Sequence, residues 1–142
     1  MRTLLAILLS GVGAMAQEPV DTGKLPMPAE RKVDFATDIL PLLERSCLKC
    51  HGEKRPKSDY RLTSRESALN GGELGVAILP GDSANSPLVH FIAGLVEDTE
   101  MPPEGKAPAL SREEIGLVRG WIDQGAAWSQ PTETVFTAEP MA

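Results

Sequence analysis

Both cysteines of the chain and one of its two histidines fall within five residues, Cys47-Leu48-Lys49-Cys50-His51. Whatever the chain folds into must serve that cluster. Three readings compete for it. A disulfide between Cys47 and Cys50 is permitted in an oxidising compartment, but no βαβ pattern surrounds the pair and His51 is left without a role. A zinc site needs a fourth ligand, and the other histidine, His90, has no cysteine left to join it. The third reading uses every part. C-x-x-C-H is the pattern of covalent haem attachment, in which two thiols add to the two vinyl groups of the porphyrin and the adjacent imidazole reaches the iron. On that reading Cys47 and Cys50 anchor one haem c, and His51 is its proximal ligand.

An iron used only to pass electrons has both axial positions filled, commonly by histidine and methionine. Beyond Met1 and Met15 the chain holds Met27, Met101 and Met141. Met27 lies in a proline-bearing leader and Met141 next to the last residue. Met101 opens a Met-Pro-Pro loop, whose two prolines restrict the backbone and so reduce the entropy lost on ligation. Met101 is therefore the expected distal ligand. His90 is the competitor. On a helix starting after Ser86 it falls roughly opposite the apolar positions, where a surface role is expected.

The start of the chain reads as an export signal. Arg2 precedes the apolar run Leu4 to Leu9, and Ala14-Met15-Ala16 is a small-x-small cleavage site. The run is too short to span a bilayer, and no stable membrane insertion is expected. The organisation expected is a signal peptide at 1–16, an extended leader at 17–33, a compact domain at 34–128 and a flexible tail at 129–142. Within the domain, Ile39, Leu42, Leu43, Ser46, Cys47 and Cys50 share one helical face, with Asp38 as a candidate cap and Pro41 in the first turn. A second helix is expected after Ser86, capped by that serine and opened by Pro87. A third follows the capping box Ser111 to Glu114 and stops at Gly125. A shorter turn begins at Ser64 and ends at Asn70-Gly71-Gly72. No stretch alternates as a sheet requires. The fold class is mostly α, a small c-type cytochrome fold of about three to four helices with long loops wrapped around one haem. Ile39, Leu43, Leu88, Ile92, Leu95, Ile115, Val118 and Trp121 are the expected core. Trp121 and Trp128 are expected to pack, with a propionate hydrogen bond as the alternative role.

The formal charge is −6, and loss of Arg2 makes the exported chain more negative by one. A nucleic-acid partner would call for a basic face, so none is expected. Acidity at this level serves solubility and could also steer a basic redox partner.

The stretch from Val33 to Trp128 resembles the planctomycete-type cytochrome c domain. The resemblance rests on VDFATDILPLLERSCLKCHG, on RLTSRESALNGGELGVAILPGDSANSPLVHFI and on MPPEGKAPALSREEIGLVRGWIDQGAAW. It implies a haem c module with His51 and Met101 as the axial ligands. The chain departs from the family in carrying Lys57-Ser58-Asp59-Tyr60, without a glycine pair, ahead of Arg61-Leu62. In this family the domain is often the front module of a larger protein. Here it stands alone, so separate redox proteins are expected as donor and acceptor. The expected function is one-electron transfer in the periplasm by a carrier that is not an enzyme. No distal acid–base pair for peroxidase chemistry is apparent. The alternative is a haem-based sensor or small-ligand binding module with a labile sixth ligand.

Overall fold

The computed structural model describes residues 18–129. The expected signal peptide and all but Ser129 of the expected tail lie outside them. Among the described residues five α-helices form: α1, Leu40–Ser46; α2, Leu48–His51; α3, Arg65–Asn70; α4, Pro87–Ile92; and α5, Arg112–Asp123. No strand forms among the described residues, only an isolated bridge between Gly72 and Gly75. The mostly helical class is as expected. The count exceeds the expected three to four because the stretch read as one helix divides at Cys47 into α1 and α2; a further break sets off its first turn.

The first break lies at Pro41. Residues Phe35–Ile39 form a π-helical turn, and the α-helix starts only at Leu40. Proline has no N–H to close the ladder, and its ring crowds the carbonyl four residues back, so the turn ahead of it widens. Asp34, not Asp38, caps this turn by accepting from the Thr37 N–H. Asp38 instead takes both guanidinium nitrogens of Arg31, at 2.9 and 3.0 Å. The second break is Cys47, whose φ of −127° separates α1 from α2.

The other ends follow their sequence signals. Ser64 caps α3 by accepting from the Ser67 N–H, and Gly71 ends it at φ +76°. Ser111 and Glu114 close the capping box of α5. Ser86 stands at the N-cap of α4, but its hydroxyl donates to the Asp82 carbonyl at 2.8 Å and accepts from the Leu79 N–H at 2.9 Å. It closes the preceding turn rather than the helix.

The core is aliphatic at its centre, with Ile39, Val89 and Ile122 fully buried. Of the eight expected core residues only Leu95 is partly exposed. Phe35, Trp121 and Trp128 cluster, the Phe35–Trp128 pair stacking with centroids 4.0 Å apart. Trp121 donates its Nε1–H to the Ala127 carbonyl at 2.7 Å, so its indole N–H is committed within the protein.

The stretch expected as an extended leader carries a 3-10 turn at Thr22–Lys24, and its second half is packed. Leu25 and Val33 are buried, and the Ala29 N–H donates to the Gly116 carbonyl at 2.9 Å. A Cβ on Gly116 or Gly120 would stand 2.7 Å from the Met27 or Ala29 carbonyl oxygen. Two glycines one turn apart on α5 are what let the strap lie this close.

Candidate haem site

One cavity, partly open to solvent, lies between α2, α4 and the loops that follow α2, α3 and α4. Cys47, Cys50, His51 and Met101 all line it. The sequence separates Met101 from the motif by half a hundred residues, and the fold brings them to the same space. Leu62, Leu88 and Ile92 continue the wall into a smaller apolar void, which Cys47 also lines. His90 does not line either cavity; its Nε2 lies 2.7 Å from the Ala84 carbonyl oxygen.

His51 is oriented from behind. Its Nδ1 lies 2.9 Å from the Tyr60 carbonyl oxygen. A carbonyl only accepts, so Nδ1 carries the proton and Nε2 keeps its lone pair. That is the tautomer a metal-ligating imidazole needs, with the second nitrogen fixed by a backbone acceptor. The Leu62 N–H donates to the His51 carbonyl at 2.9 Å, and the Tyr60 hydroxyl to the Ala68 carbonyl at 2.8 Å. Burial raises the Tyr60 phenol, so it stays a neutral donor.

Tyr60 is the contributor that sequence reasoning missed. It sits in the segment Lys57 to Tyr60 where the chain departs from its resemblance. Ser58 and Asp59 both have φ +52°, and the Glu73 N–H donates to the Ser58 carbonyl at 2.9 Å. The Gly71-Gly72 pair signals a close backbone approach, but not which residue it approaches.

These residues fit a covalently held haem. Cys47 and Cys50 are unpaired thiols on an apolar wall. Burial pushes the Cys47 thiol up to about 11. An apolar wall suits a thioether, which is neutral. No cluster of three or more His, Cys, Asp or Glu able to hold a metal ion forms among the described residues. Met101 is partly buried, and its N–H donates to the Phe91 carbonyl at 3.0 Å, which fixes its backbone beside α4.

A charge pair joins α1 to α5. Arg45 grips Glu114 through two hydrogen bonds of 2.8 and 2.9 Å. Arg45, with the Ser111 N–H, holds the Glu114 carboxyl well below the usual range, at about 2. A lowered carboxyl contributes stability above its unfolded value near 4.5 and loses it as pH falls toward 2. Thermal unfolding of the parent and of Glu114→Gln should therefore differ at neutral pH. The gap should close between pH 4.5 and 2.

No curated protein matches the chain. Among solved structures, Kuenenia stuttgartiensis hydrazine synthase is similar over 69% of this chain and 16% of that one, with 23% identity and a TM-score of 0.43. This chain thus spans only a small part of that protein's length. Among the described residues no helix is long and apolar enough to cross a membrane. The family model of planctomycete cytochrome C matches residues 47–105, from the first cysteine of the motif into the loop beyond Met101.

Proposed function

We propose that the chain is an exported monohaem c-type cytochrome that carries single electrons between separate redox proteins. The observation that supports this reading is the convergence of Cys47, Cys50, His51 and Met101 on one largely apolar cavity. Cys47 and Cys50 would hold the haem covalently, and His51 and Met101 would take the two axial positions. When bound, the haem supplies a one-electron ferrous–ferric couple. The protein's own residues do the rest. Tyr60 keeps the His51 ring turned and protonated at Nδ1. Leu62, Leu88 and Ile92 exclude water from the inner wall. Met101 offers a soft thioether, which favours the reduced iron and raises the potential.

The test is a spectrum and a denaturing gel. Protein made in a host that matures c-type cytochromes should keep haem stain after denaturation, and a bare chain would overturn the reading. Met101→Ala should lower the reduction potential and abolish the sulfur-to-iron charge-transfer band. An unchanged spectrum would remove Met101 from the iron. Slow carbon monoxide binding by the reduced parent is expected of a six-coordinate carrier, whereas rapid binding would favour the sensor.

A further inference from the structure

Met101 is carried by a long connection without helix, running from the end of α4 to the start of α5. Loops of this length in a small domain are held by a few contacts, and those contacts decide how often the loop opens. The first half is tied to α4 through the Met101 N–H and the Phe91 carbonyl. The second half, residues 102–110, has one hydrogen bond to the rest of the protein among the described residues. It runs from the Ser46 hydroxyl to the Pro108 carbonyl, at 2.7 Å.

Ser46 is well placed for that role. It is 4% exposed, ends α1, directly precedes Cys47 and lines the cavity itself. A hydroxyl has one proton, and here its direction is settled. Arg45 Nε lies 3.3 Å from Ser46 Oγ and occupies an acceptor site, so the proton points to Pro108. The same arginine grips Glu114, at the first turn of α5, where the Met101 loop ends. Two neighbouring side chains on the haem-attachment side thus pin the loop near its end and the helix that follows it.

We propose that Ser46, supported by Arg45, is a positioning residue for the distal ligand: the Ser46–Pro108 clasp keeps the Met101 loop closed and so sets how often Met101 leaves the iron. The proposal rests on the reading of Met101 as the distal ligand. Ser46 touches neither sulfur nor iron in this role; it acts through the loop. An incoming ligand can bind the ferric iron only while Met101 is away, so its rate follows the open fraction. Losing a buried hydrogen bond to a carbonyl should raise that fraction about tenfold.

The experiment uses the haem-loaded protein and two readouts, cyanide binding to the ferric form and hydrogen exchange of the amides in 102–110. Ser46→Ala should bind cyanide about tenfold faster than the parent and exchange faster in that segment. Glu114→Gln keeps the helix cap and the Ser46–Pro108 bond, so it should accelerate both by less, about threefold. It also serves as the second variant if Ser46→Ala folds poorly. Parent-like cyanide rates and exchange in both variants would overturn the clasp. So would exchange raised evenly over the whole chain, which would assign Ser46 a general packing role. Met101→Ala is the reference. If it binds cyanide no faster than the parent, Met101 is not the distal ligand and the clasp's effect on the iron falls with it. If it binds fast while Ser46→Ala does not, only the clasp fails.

Discussion

Serine at both Cys47 and Cys50 is expected to leave no haem on the denatured chain and a poorly folded protein in its native buffer. The first half follows from chemistry. On the proposed reading two thioether bonds would survive denaturation, whereas axial coordination by His51 and Met101 would not, and serine supplies no sulfur to add to a vinyl group. The second half follows from how the core is distributed. Only 4% of residues are aromatic. Phe35, Trp121 and Trp128 are spent on one another. The side facing the cavity is lined by Leu62, Leu88, Phe91 and Ile92 among others, around a space that no side chain fills. A group that binds the folded chain and not the unfolded one stabilises it by linkage, and covalent attachment makes that filling permanent. Without it a domain of this size loses several of the kcal/mol that keep it folded. Haem staining and thermal melting check the two halves. Haem retained on the denatured double variant would refute the attachment reading. A melt equal to the parent's would refute the structural role given to the group.

The motif and the capping signals were legible because each is local. C-x-x-C-H, the Ser111–Glu114 box and the Ser64 cap all act within four residues, and local rules suffice for them. The π-helical turn was not read, although its cause, Pro41, was in view. Proline in a first turn is normally harmless, and here the apolar face continues upstream of it, so the chain keeps coiling instead of stopping. The strap at 25–33 was missed for another reason. Its composition is that of a linker, and its burial depends on Gly116 and Gly120, far along the chain. The Gly-x-x-x-Gly spacing on α5 was the usable clue. Tyr60 was beyond reach in a stricter sense. What it contributes to His51 is a backbone carbonyl, which any residue owns, so only the fold could reveal which one it is.

That dependence makes Gly72→Ala the sharpest test of the proximal side. A Cβ at Gly72 would fall 2.2 Å from the Ser58 carbonyl oxygen, 2.8 Å from the Tyr60 nitrogen and 2.9 Å from the Asp59 carbonyl carbon. All three are backbone atoms, so no side chain can swing away to relieve the clash. The segment 58–60 must move as a unit, and it already sits in the left-handed region at Ser58 and Asp59. Moving it pulls the Tyr60 carbonyl from His51 Nδ1. The substitution should cost about 2–3 kcal/mol of stability. It should also shift the reduction potential of the haem-loaded protein, because the carbonyl that sets the basicity of the imidazole is displaced. Gly81→Ala separates the two effects. Gly81 has φ +85° and nothing within 4 Å of its Cβ position, so alanine there brings backbone strain of about 1 kcal/mol without crowding. It should lower the melting temperature a little and leave the potential where it was. If Gly72→Ala did the same, the approach of the 71–72 turn to the Tyr60 segment would be plain packing, and the orientation of His51 would rest on its own helix alone.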